Sequence, residues 1–322
     1  MGQARGYKSR LVLDFETAFK TDPSTPAGHI MPFNSYSVQG SRNKESANTI
    51  RGRRDPVAPF DGNESVDGPL VVPVDVRNIG LWLKALLGAP DSTDNGDGTY
   101  DHVYSISDSQ PSMVLETRLS DNTSVIKYIK HNGCKLNSLE ISAGGDGELV
   151  ANLNIMGAAE ALGDSAYDSD PTELSFQRFR NFQATLKEGG SALTGTATNM
   201  TLNVAANLDG DQYTIGDNGT RGDISEGLMG LSGSIDALFK DTSAAMLQKA
   251  IDSTETSLEL AFEDSNGNSL TFTLPELQFA QQGPTVDGPQ GVRISLPFQA
   301  YYDDAAEGTG LQVTLVNDQV SY

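Results

Sequence analysis

The chain has 322 residues, 37% hydrophobic and 20% charged, enough for one large domain or two ordinary ones around packed cores. Its 43 acidic and 22 basic residues give a formal net charge of −21, which excludes a protein that grips nucleic acid through phosphates, since that needs clustered Lys and Arg. A single cysteine excludes an intrachain disulfide, and no apolar run approaches the ~20 residues of a membrane-spanning helix.

From the N-terminus, MGQARGYKSRLVLDFETAF has basic residues but no apolar core of ~7–15 residues, so no signal peptide is expected. Gly6 stands where N-myristoylation calls for Ser or Thr. Arg51, Arg53 and Arg54 form a short basic run that stands out in so acidic a chain. It is either a solvated loop whose exposed ion pairs contribute little, or a patch that docks an acidic neighbour. The spacing of Ile79, Trp82, Leu83, Leu86 and Leu87 predicts a helix over Asn78–Leu87, ended by Gly88.

The next stretch, Asp91–Asp101 (DSTDNGDGTYD), raises the question of a metal site. A calcium loop of the helix–loop–helix type needs carboxylates at alternate positions and a helix on each side. Here Gly96 breaks that spacing and a strand follows, while Asn95-Gly96 and Asp97-Gly98 supply residues that accept positive φ. A hairpin turn is the reading, and Asn207–Asp223 and Asp264–Asn268 are read the same way.

Period-2 alternation predicts strands at Ser112–Leu119, Lys135–Ser142, Leu149–Met156, Leu258–Glu263, Leu270–Ala280, Val292–Tyr301 and Gly310–Val316. A second helix is predicted over Ser243–Ile251, from Met246, Leu247 and Ile251. The halves of the chain resemble each other. IRGRRD (50–55) can be laid on GTRGDI (219–224), each ahead of a helix. The strand 132–142 can be laid on 269–280, with Leu136 and Leu139 on Leu274 and Leu277. This predicts a duplicated β-rich domain: residues 1–160, an acidic linker 161–173, residues 174–306, and a C-terminal strand or arm 307–322. The helix-to-strand connection after Leu87 is far longer than the one after Ile251, so the Asp/Gly loop is an insertion in one copy only.

Catalysis finds no support. His29, His102 and His131 stand apart from one another and from any nucleophile motif, and His131 with Cys134 lacks the partners of a zinc site. No phosphate-cradling glycine motif is present. Catalytic, cofactor and metal sites are therefore all expected to be absent. The alternative function is an extracellular calcium- or carbohydrate-binding β-domain protein, suggested by the acidity and the Asp/Gly loops.

Several segments in order, MPFNSYSV (31–38), NTIRGRR (48–54), SVDGPLVVPVDVRNIGLWLKALLG (65–88), DNGDGTYDHVYS (94–105), NGCKLNSLEIS (132–142), LVANLNIMGAAE (149–160) and LQVTLVNDQVSY (311–322), resemble tail tube proteins of bacteriophages with long, non-contractile tails. The resemblance implies a mainly β fold: two tandem tube-type β-sandwich or barrel domains, each with one flanking helix. It implies a structural, non-enzymatic subunit of the virion tail, assembled in the host cytoplasm. Its partners would be further copies of itself, other tail proteins at the tube ends, and DNA passing through an acidic lumen without specific binding, with no membrane involved. Family members commonly form sixfold rings of single domains, so a duplicated subunit implies a trimeric ring with pseudo-sixfold symmetry; other members carry an appended immunoglobulin-like domain, and the alternative is that the second half is such a decoration. Candidate assembly contacts are Arg51, Arg53, Arg54, Asp91, Asp94, Asp97 and Trp82. Deleting Asp91–Gly98 is expected to leave the domain folded but weaken ring stacking. Tube lengths measured in electron micrographs of the deletion variant would check this, and unchanged tubes would count against it.

Overall fold

Alternating apolar and polar residues become strands through most of the chain in the computed structural model, which describes residues 2–286 and 288–322. The first part holds β1 (Arg10–Phe15), β2 (His29–Met31), β3 (Ser35–Tyr36), β4 (Gln39–Glu45), β5 (Phe60–Pro73), α1 (Ile79–Leu87), β6 (Asp91–Asp94), β7 (Tyr100–Ser105), β8 (Met113–Ser120), β9 (Val125–Gly144), β10 (Val150–Gly157) and β11 (Ala159–Gly163). There follow β12 (Thr172–Glu173), β13 (Ala184–Glu188), β14 (Ser191–Ala192), β15 (Ala197–Ala205), β16 (Gly230–Leu238), α2 (Asp241–Ile251), β17 (Thr256–Glu263), β18 (Ser269–Phe279), β19 (Arg293–Tyr301) and β20 (Gln312–Asn317). The fold is mainly β, and α1 and α2 are its only α-helices among the described residues.

The pairings recur in order. β1 pairs with β8, β8 with β9, β9 with β10, β10 with β5, and β5 with β4. Later, β13 pairs with β17, β17 with β18, β18 with β19, β19 with β16, and β16 with β15. A β-bulge recurs too. The β8–β9 register slips between Met113 opposite Cys134 and Leu115 opposite His131. The β17–β18 register slips between Thr256 opposite Leu277 and Leu258 opposite Leu274. Cys134 therefore stands in the place of Leu277, and Leu136 in that of Phe279, which corrects the expected match of Leu136 with Leu274. Both strands alternate along their length, so alternation alone did not fix the register, and the bulge inverts the parity within each strand.

A single sheet runs through both parts in the order β4, β5, β10, β9, β15, β16, β19, β18. Its two faces differ sharply. One cross-strand row reads Leu70, Leu153, Leu139, Val204, Leu231, Ala300, Leu277, all buried. Each such Leu or Val buried contributes roughly 1.5–3 kcal/mol over leaving it exposed. The next row, one residue along each strand, reads Val71, Asn152, Glu140, Asn203, Ser232, Gln299, Gln278. That face is polar and partly or fully exposed.

α1 packs on the apolar face, and every residue of it except Lys84 is buried. Asp75, itself buried, caps its start, accepting from the backbone N–H of Asn78 and of Ile79 at 3.1 Å each. Gly88, at φ 102°, ends it as expected. α2 buries only Ser243, Met246 and Ala250.

The expected linker, 161–173, is docked rather than loose. Residues 161–163 belong to β11 on β9, Tyr167 Oη donates to Asp14 at 2.9 Å, Asp168 accepts from Gly28 N at 2.9 Å, and β12 pairs in parallel with β2.

Asp91–Asp101 is the expected hairpin turn, β6 on β7, with Gly96 and Gly98 at φ 77° and 93°. β7 pairs along all of β20, so the hairpin joins the end of the chain to the first part. His102 on β7 holds this joint: its Nδ1 lies 2.8 Å from Ser92 Oγ, its Nε2 2.9 Å from the Gln319 carbonyl, and its ring meets Tyr322 edge-on. Tyr322 in turn donates to the Arg77 carbonyl and lies where a side chain at Gly80 would have to be. Burial lowers the His102 pKa below its ordinary 6.5, partly countered by the Gln319 carbonyl. The unfolded chain then binds the proton more tightly, so this contribution to stability is full above pH 6.5 and lost as pH falls through and below it. The thermal midpoint is expected to fall as pH is lowered from 7.5 to 5.5. His102→Gln should reduce that dependence without abolishing it, since His29 and His131 are lowered by burial too. Identical pH profiles for the two proteins would refute the assignment.

Candidate assembly surfaces

Two strands that lie far apart in sequence form the central joint of the sheet. β9 pairs with β15 over seven positions, from Asn199 opposite Gly144 to Ala205 opposite Ser138. Beyond this ladder the connection from β15 to β16, residues 206–229, runs across the first part of the chain and is clamped there. Ala206 N donates to the Asn137 carbonyl at 2.8 Å. Lys20 Nζ bonds Asp217 at 3.1 Å, Thr220 Oγ1 at 3.2 Å and the Arg221 carbonyl at 2.9 Å. Lys135 Nζ bonds the Ile224 carbonyl and Glu226, both at 2.7 Å. In this contact the Lys135 cation and the Gln110 N–H outweigh the effect of burial and hold the Glu226 carboxyl below its usual range.

Arg221 is the deepest of these anchors, 5% exposed. Its Nε donates to the Gly210 carbonyl at 2.7 Å, and Nη1 to the carbonyls of Val66 and Gly157 at 3.1 and 2.7 Å. The guanidinium forks onto Asp67 at 3.0 and 3.1 Å. A planar fork satisfies all these acceptors at once, which an ammonium does not. Sequence reasoning did not single out Arg221, although GTRGDI, which contains it, was matched to IRGRRD. The two segments do sit in corresponding connections, β15–β16 and β4–β5.

The outer strands of the sheet are left open on one side. β4 pairs only with β5, and past Leu277, which still faces Thr256 of β17, the end of β18 pairs with β19 on one side alone, at Gln278 and Phe279. Past β18, Ala280 N reaches the Pro297 carbonyl and Thr285 bridges to Arg293, so residues 280–285 follow β19 without forming a regular strand. By the shared bulge this segment holds the place that Asn137–Ser142 hold in β9, where β15 docks.

The candidate contacts fall into three groups. Arg51, Arg53 and Arg54 lie exposed on the β4–β5 connection, with Arg53 on Asp55 at 2.7 Å and Arg51 on the Pro56 carbonyl at 3.0 Å. Asp91, Asp94 and Asp97 are exposed on the hairpin. There the Asp94 carboxylate accepts from Gly96 N and that of Asp97 from Thr99 N and Oγ1, so these two carboxylates cap the turn. The Thr99 contacts lower the Asp97 pKa. Trp82 lies apart from both groups, 1% exposed inside α1, where it packs the chain's own core and meets no surface. Among the described residues no group of three or more His, Cys, Asp or Glu side chains is arranged to hold a metal, and no helix is long and apolar enough to cross a membrane. Cys134 is buried and its thiol pKa is pushed up by burial.

The family model for phage tail tube proteins matches residues 6–300. The chain belongs to this family. It is thus a structural component of a phage tail, built to assemble with itself and with other tail proteins. No curated relative matches the chain.

Arg221→Met is expected to lower the unfolding free energy by about 3–5 kcal/mol, because it strands three buried carbonyls, while the half-exposed Asp67 carboxylate it leaves behind is met by water. Arg221→Lys should recover only part. Urea denaturation measures both, and a loss under about 1 kcal/mol for the Met variant would remove Arg221 as the anchor of the joint.

Proposed function

We propose that three copies of this chain close a ring with pseudo-sixfold symmetry, and that such rings stack into the tube through which phage DNA leaves the capsid. The observation that carries this reading is the β9–β15 joint. Within one chain it already joins two four-strand groups, β4–β5–β10–β9 and β15–β16–β19–β18, whose pairings repeat in the same order. The same joint made between chains would use the edge of β4 and the segment after β18. Both edges would then be covered, as a heterologous contact that closes on itself requires.

On this reading the duplicated units are residues 1–160 and 174–306. Residues 161–173 act as a strap, and 307–322 as an arm. The polar face of the sheet lines the lumen. It is less acidic than the net charge suggests. Amide and hydroxyl side chains dominate, Glu140 and Asp236 contribute carboxylates, and Asp67 is paired with Arg221. On strands β9, β10, β15, β16 and β19 Arg293 is the one base marked by full exposure, and the exposed Arg42 and Lys44 of the outer strand β4 are paired with Glu64 and Asp61. A wall of this kind offers DNA few cations to bind, so the polyanion slides past it. The role is structural, without catalysis. Assembly takes place in the host cytoplasm, and other tail proteins cap the open ring faces at the tube ends.

Helical reconstruction from electron micrographs of assembled tubes tests the ring. The expected result is three chains per ring, with β4 of each beside residues 280–285 of the next. Six chains per ring, or closure through other edges, would overturn it.

A further inference from the structure

The internal joint also predicts what the β4–β5 connection touches. Within the chain, the β15–β16 connection leaves the sheet beside Asn137 and passes the bulge at Gly133, where Lys20 is packed and meets Asp217. Midway along it Arg221 reaches the carbonyls of Val66 and Gly157, close in sequence to Glu160, before the connection turns back over Lys135. Registers on the second part place Glu276 where Gly133 stands, Ala300 where Gly157 stands, and Asp303 where Glu160 stands.

The charges at this place are reversed. Glu276 accepts from the backbone N–H of Asp303 at 2.6 Å and of Asp304 at 3.0 Å, which brings three carboxylates together, with Glu255 bonded to Tyr301 alongside. Glu276, Asp303 and the nearby Glu255 crowd the Asp304 carboxyl and raise its pKa. Among the described residues, none of the thirteen salt bridges involves these four acids. The acids at 255, 303 and 304 are exposed. The connection that would arrive from a neighbouring copy, residues 46–59, carries Arg51, Arg53 and Arg54, whose own contacts are exposed and weak. A lysine meets an aspartate at the internal joint, and a cluster of acids faces a run of arginines at the equivalent place between chains.

We propose that in the ring the β4–β5 connection of one copy lies over Glu255, Asp303 and Asp304 of the next, above the buried Glu276, with Arg51, Arg53 and Arg54 meeting those three exposed carboxylates. The inference rests on the ring reading given above. Opposite charge patterns at the two kinds of joint would also give register. A β4–β5 connection placed on Lys20 would bring arginines against a base, which disfavours the wrong pairing.

Two sets of variants of the full chain test it. Arg53→Cys with Asp304→Cys, oxidised after assembly, is expected to give covalent dimers and then trimers on a non-reducing gel, while either single variant gives neither; buried Cys134 does not take part. Asp303→Lys with Asp304→Lys should raise the protein concentration needed for half-assembly about tenfold at low salt. Adding Arg53→Glu and Arg54→Glu to that variant should restore assembly. If the wild-type chain forms threefold rings but the paired cysteines do not cross-link and the charge changes leave assembly unaltered, the contact is refuted and the ring stands. If the wild-type rings hold six chains, the ring reading itself fails and this contact with it.

Discussion

The structure depends on the ladder between β9 and β15. Every other pairing in the chain links strands within one part or adds a strap or hairpin at the periphery. It is the longest ladder between the parts, one position longer than the β7–β20 pairing, with seven paired positions and the buried row Leu139, Val204, Leu231 running straight across it. A sheet that continues in this way cannot end without exposing backbone donors and acceptors, and soluble proteins cover or block such edges. Here β4 has charged residues, Arg42, Lys44 and Glu45, and the segment after β18 is irregular and contains Pro284. Charge and proline are the usual means of keeping an edge from pairing indiscriminately, and they fit edges that must wait for one partner.

The central strand also explains why one side chain as expensive to bury as Arg221 is retained. The connection after β15 has to lie against the first part for the joint to keep its angle. It contains few large apolar residues that could hold it there: Ile215 and Leu228 are exposed, and only Leu208 and Ile224 are buried. Backbone carbonyls at Val66, Gly157 and Gly210 are instead gathered by one guanidinium, with Asp67 balancing its charge. A contact made from directional bonds fixes position more tightly than one made from apolar area of the same size, because a shift of an ångström breaks several bonds together.

Much of this was legible in the sequence, in proportion to how strongly each segment alternates. Both helices, the hairpin turn at Asn95–Gly98 and the strands of the apolar-rich segments 113–120, 256–263 and 293–301 follow directly from pattern. β5 did not, since Gly62, Gly68, Pro69 and Pro73 interrupt its alternation, yet a register slip opposite Arg42–Lys44 takes up Gly62 and the pairing with β10 runs unbroken from Val66 to Pro73. β15 and β16 did not either: Thr, Asn, Ser and Gly on their polar faces resemble loop composition, and only the buried Met200, Leu202, Val204, Leu231 and Ile235 mark them. The recurrence of the two halves was visible in order but not in register. A bulge shifts parity in each long strand, and no pattern of apolar residues reports a bulge. Trp82 illustrates the opposite limit. Its helix was identified, but a helix of nine residues in which eight are buried has no exposed stripe, so period alone does not tell an interface from a core.

The β6–β7 hairpin has no counterpart among the pairings of the second part, and the inequality has a physical reason. β20 holds the place in the second part that β11 holds in the first, each following the strand that pairs with β18 or β9. β11 lies close to the β4–β5 hairpin, where Glu160 N donates to Glu64 and Glu160 accepts from Gly40 N. In the second part the corresponding hairpin, β15–β16, is drawn away to the joint, and β20 would be left with a bare edge. β7 covers that edge over its whole length. The hairpin also carries His102 and Tyr104 against Tyr322 and the N-terminal turn of α1, so the last residues of the chain close over the helix of the first part. An asparagine- and glycine-rich turn that at first suggested an ion is the tip of this cover. Its carboxylates are spent on their own backbone, its strands on β20, and what it leaves exposed at Asn95–Gly98 is a short polar projection supported from within the chain.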